Sequence, residues 1–154
     1  MSGPGAVRLG VAMLRSGRPV RIAGDCELTV AAVETTTQEL LDLRDPERGA
    51  RLMISGQRAA ALKLANERDA ADPHAPVVIE RAPWLDADTA LAIADPGRDL
   101  DRAPVGPLQV VAADCPGSGS AALAGHLAAH QVLEPCRAWE RPSDHVPLIC
   151  EIDI

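Results

Sequence analysis

The sequence predicts an α/β domain, or its α+β variant: a mixed sheet with helices packed on it. Two observations carry this prediction. Short apolar runs of strand type alternate along the chain with helix-type segments that open on capping residues. A turn signal, Gly24-Asp25, separates two adjacent strand-like runs, so at least one hairpin is expected and a purely parallel sheet is not.

The elements follow in order. The first helix is expected from about Ala6 to Arg15, with Val7, Val11 and Leu14 on one face and Gly17 as its stop. Arg18 to Ala23 and Cys26 to Val33 read as the two strands of the hairpin. Thr36-Thr37-Gln38-Glu39 has the form of a capping box and should open a helix carrying Leu40, Leu41 and Leu43, with Pro46 and Gly49 closing the region. Leu52 to Ile54 is a short buried strand. Ser55 is the expected cap of a helix from Gly56 to about Ala65.

Val77 to Ile79 is a further short strand. Asp86 is the expected N-cap of a helix running through Ala94, which Pro96 ends. Leu108 to Ala112 reads as a strand. Ser120 caps a long Ala/Leu helix to Leu133, and Val146 to Ile154 ends as a strand. The Pro/Gly/Asp-rich stretches Asp69–Pro76 and Asp95–Pro107, and the weaker break Pro116–Ser120, read as loops of one domain covering residues 1–154.

Composition narrows the functional classes. The chain has 154 residues, enough to bury a core without metal or disulfide staples. It has no Phe or Tyr and only Trp84 and Trp139, so the core must be built from Leu, Val, Ile and Ala. Ala-rich elements remove little apolar area per residue, which predicts modest stability or support from a partner surface. A formal charge of −7, without a basic patch or an aromatic stacking platform, argues against nucleic acid and against anionic membranes. Met1 to Gly5 has no signal-peptide core and no apolar run approaches a membrane span, so a cytoplasmic location is expected. The four cysteines, Cys26, Cys115, Cys136 and Cys150, are widely spaced and read as free thiols in that compartment.

Three constellations qualify as candidate sites. His126 and His130 lie four apart on the predicted long helix and so share a face; with Cys115 or Cys136 they could form a metal site, although the spacing fits no standard zinc pattern. Ser118-Gly119-Ser120 precedes the same helix, where free N–H groups favour an anion, but no P-loop lysine follows. Ser143-Asp144-His145 has the residue types of a hydrolase, but a triad is assembled from distant segments and no Gly-x-Ser-x-Gly elbow is present. For each, an ordinary helix surface or capped loop is the simpler reading.

The succession of motifs resembles a known family. It begins with Met13-Leu14-Arg15-Ser16-Gly17-Arg18-Pro19-Val20, Ala31-Ala32-Val33-Glu34, Thr37-Gln38-Glu39-Leu40, Gly49-Ala50-Arg51-Leu52-Met53-Ile54 and Arg58-Ala59-Ala60-Ala61-Leu62-Lys63-Leu64. Ile93-Ala94-Asp95-Pro96, Asp99-Leu100 and Gly106-Pro107-Leu108 continue them, as does the Ala/Leu helix from Ala121 to Leu133. In this order they are similar to 3,4-dihydroxy-2-butanone 4-phosphate synthase, and closer to the degenerate synthase-like N-terminal region of GTP cyclohydrolase II proteins of riboflavin biosynthesis. The resemblance covers about residues 6–135, and the order carries more weight than any single motif.

The resemblance implies as much by its gaps. An active synthase carries an acidic loop after its first strand whose carboxylates hold Mg²⁺ against the sugar phosphate. At that place this chain has Gly24-Asp25-Cys26-Glu27-Leu28, leaving Asp25 and Glu27 as the catalytic or metal candidates there. His145 and Glu151 lie in fragments too short to inherit a role. The Cys-x-Cys pair of the cyclohydrolase zinc site does not occur. The expectation is a non-catalytic accessory or dimerisation unit without a cofactor (Mg²⁺ if catalytic), its partner a second copy or a cyclohydrolase domain. The alternatives are a Mg²⁺-dependent ribulose 5-phosphate lyase and a small anion- or nucleotide-binding regulatory domain.

Overall fold

The computed structural model describes residues 4–24, 27–64, 76–100, 107–111 and 149–151. In chain order these form α1 (Pro4–Arg15), β1 (Val20–Ile22), β2 (Leu28–Ala32), a 3₁₀ turn (Val33–Thr35), α2 (Gln38–Arg44), β3 (Arg51–Ile54), α3 (Gly56–Ala61), β4 (Val77–Ile79), α4 (Ala87–Ala94), a second 3₁₀ turn (Pro96–Arg98), β5 (Val110–Val111) and β6 (Ile149–Glu151). The strands make one sheet in the order β1-β2-β6-β3-β4-β5. The fold is therefore the expected combination of helices and sheet. All described pairings are antiparallel, which gives it the α+β form. The expected hairpin is present, with Val20 opposite Val30 and Ile22 opposite Leu28.

Side chains on successive strand residues point to opposite faces, and the two faces bury different sets. Ala31, Leu52, Ile54, Val77 and Ile79 face α2, α3 and α4, where they meet Leu41, Ala59, Ala90 and Ile93. Leu28, Val30, Ala32, Met53 and Val78 face the other way, and Leu14, Val7 and Val11 of α1 pack into that cluster. The sheet is thus helix-covered on both sides, which explains why β3 and β4 read as continuous apolar runs. The largest fully buried side chains are Leu, Ile, Val and Met, as a chain without Phe or Tyr requires.

Caps set the helix starts. Ser55 Oγ accepts from Arg58 N at 3.0 Å and Asp86 Oδ1 accepts from Thr89 N at 2.7 Å, both as expected. The α2 start departs from the sequence reading by one residue. Thr37, not Thr36, is its N-cap, with Oγ1 accepting from Leu40 N at 3.3 Å. Thr36 Oγ1 instead donates to Ala32 O at 2.7 Å, because the preceding 3₁₀ turn ends there. Leu41 faces the core, whereas Leu43, roughly 200° further round the helix, is 77% exposed. Helix α3 stops at Ala61, short of the expected Ala65, with Lys63 in the left-handed region at φ 62°, and β5 begins at Val110, two residues later than expected. The expected helix from Ser120 to Leu133 lies outside the described residues.

Candidate functional site

Among the described residues, the chemistry-bearing side chains that share one place are gathered where α2, the strand ends and α4 meet. Asp45 is the C-cap of α2, and its N–H donates to Leu41 O at 2.8 Å. Its buried carboxylate accepts from Gly49 N at 2.7 Å and Ala50 N at 3.0 Å, which folds the loop leading into β3. Arg81, just beyond β4, donates from Nη1 to the same carboxylate at 2.5 Å. Its Nε donates to Leu85 O at 3.4 Å, and its Nη2 lies 3.7 Å from Asp42 Oδ1.

The network continues outward. Asp42 Oδ1 accepts from Gln38 Nε2 at 2.7 Å, and Gln38 Oε1 accepts from Ala87 N at 2.8 Å. Ala87 is the first residue of α4, so its N–H has no acceptor within that helix. One polar chain thus ties the C-terminal end of α2 to the start of α4. Against it lies a small, mostly carbon-walled cavity of about 20 Å³, with Val33, Leu41, Leu52, Leu85 and Ala90 in its wall.

Arg58, on α3, forms a second buried ionic centre. Its Nε donates to Ile93 O at 2.6 Å and Nη2 reaches Ala92 O at 3.4 Å, so the guanidinium caps the last carbonyls of α4. Asp99 completes the arrangement with two bonds, 2.8 Å from Nη1 and 2.6 Å from Nη2. Neither Arg58 nor Arg81 was singled out from sequence, since each owes its burial to partners more than thirty residues away. Asp45 left a fainter signal: an Asp-Pro step followed by Gly49 is the kind of loop that a carboxylate closes through backbone N–H groups.

Among the described residues, Glu34 and Glu39 have displaced pKa values. Glu34 lies in the first 3₁₀ turn, which packs on α4. Its side chain reaches solvent, yet the surrounding chain strips enough water from the carboxyl that desolvation raises its pKa above the usual value. Its own backbone N–H opposes that rise, and the charge of Asp95 adds to it. Glu39 is shifted the other way, first by a bond from its own backbone N–H and then by one from Thr37. Glu39 thus braces the Thr37 cap from within the first turn of α2.

Of the sequence-predicted site residues, Glu27 alone falls within the described residues. It stands at the mouth of the hairpin, where Arg21 Nη2 donates to both of its carboxylate oxygens at 2.5 Å. Arg21 is opposite Thr29, two residues from Glu27, so the pair is the diagonal contact of one face of the hairpin. The Mg²⁺-holding loop implied by the resemblance requires several carboxylate oxygens free to turn on one ion. In this structure both Glu27 oxygens accept from the exposed Arg21 guanidinium, and Asp25 lies outside the described residues. Asp25, Ser118, Gly119, Ser120, His126, His130 and His145 lie outside the described residues, as do Cys115 and Cys136. Among the described residues no three His, Cys, Asp or Glu side chains gather at metal-binding distance, and no helix is long and apolar enough to cross a membrane. Neither the protein-family models nor the curated proteins give a match to this chain.

Proposed function

We propose that the chain is a non-catalytic accessory or dimerisation unit of a GTP cyclohydrolase II in riboflavin biosynthesis, working in the cytoplasm. The reading rests on the order of motifs from Met13 to Leu133 and on one geometric observation, the engagement of Glu27 by Arg21. The carboxylate at the position where a synthase needs a metal ligand is here part of the hairpin's own pairing. Asp45, Arg58 and Arg81 support the same reading, since each joins backbone or side-chain groups of separate elements. The partner is a second copy of the chain or a cyclohydrolase domain.

The test is light scattering on the purified chain, alone and mixed with a GTP cyclohydrolase II catalytic domain. A dimer, or a stoichiometric complex with that domain, is the expected result. A monomer that stays unbound at tens of micromolar would count against the proposal.

A further inference from the structure

We draw no further inference here: the strongest candidate, the cavity between α2, β3 and α4 beside the buried Arg81 guanidinium, belongs to the site already described and has a wall of carbon almost throughout, so nothing in it selects the chemistry of an occupant.

Discussion

Arg81 Nη1 donates to Asp45 Oδ2 from thirty-six residues away, and the two side chains are 2% and 3% exposed. Desolvating both charges makes the net worth of such a pair small, whereas removing one partner leaves the other buried and uncompensated. Arg81→Met should therefore destabilise the protein by about 3–5 kcal/mol in urea titration. Asp45→Asn leaves the buried Arg81 cation uncompensated and turns an amide NH2 toward donors, so it should cost at least as much as Arg81→Met. The double variant should cost less than the sum of the singles, and strict additivity would show that the pair is not coupled.

Arg58 and Asp99 share a salt bridge but not its importance. The Arg58 side chain is 2% exposed and holds the end of α4, whereas that of Asp99 is 45% exposed. Arg58→Met should cost about 3 kcal/mol or more, because a buried guanidinium and a helix cap are lost together. Asp99→Ala should cost about 1 kcal/mol or less, since solvent replaces part of what Asp99 supplies. Equal losses in thermal or urea melts would contradict the assignment of Arg58 as the cap.

Glu34 sets a pH dependence with a definite sign. Its pKa is raised in the folded chain, so between the unfolded value and the raised one the folded state binds more protons. Stability must therefore fall as pH rises through that window, and Glu34→Gln should flatten the fall and melt higher than the parent at neutral pH. Glu39 acts oppositely. Its pKa is lowered, so its contribution is present above the unfolded carboxyl value and is lost as pH falls through the folded one. Melting temperatures of Glu34→Gln and Glu39→Gln across pH 3–8 should thus converge on the parent at the acid end and depart from it toward neutral pH in opposite directions, Glu34→Gln upward and Glu39→Gln downward.

Backbone conformation gives a second pair of opposed changes. Lys63 holds φ 62° just past α3, where glycine is the usual residue. Lys63→Gly should stabilise the chain by roughly 0.5–1 kcal/mol. Gly17 has φ 75° after α1, and a Cβ there would meet Thr35 O at 3.4 Å. Gly17→Ala should destabilise by about 1 kcal/mol or more. Urea midpoints moving in the same direction for both variants would contradict this account of the two helix ends.

Local signals were legible where one short stretch determines the outcome. Ser55 and Asp86 cap helices because their side chains need only a backbone N–H three residues on. The Val20–Ile22 and Leu28–Ala32 runs pair because they are close in sequence, with Gly24-Asp25 between them. The Thr36–Thr37 ambiguity was local too, but three consecutive threonines offer equivalent hydroxyls, and only the 3₁₀ turn before them decides which one caps α2. What stayed hidden depends on distant partners. Arg58 and Arg81 look like surface cations until α4 and Asp45 close over them. The central place of β6, between β2 and β3, follows from pairing across most of the chain, for which no local pattern exists. At the candidate site, Glu27 was legible as a carboxylate, but its capture by Arg21 depended on hairpin register.

The most direct test of the central claim, that the hairpin carboxylate serves the fold rather than a metal, is turnover of ribulose 5-phosphate by the purified chain with millimolar Mg²⁺. The account predicts none, either for the parent or for Glu27→Gln. Magnesium-dependent turnover by the parent that disappears in Glu27→Gln would contradict it.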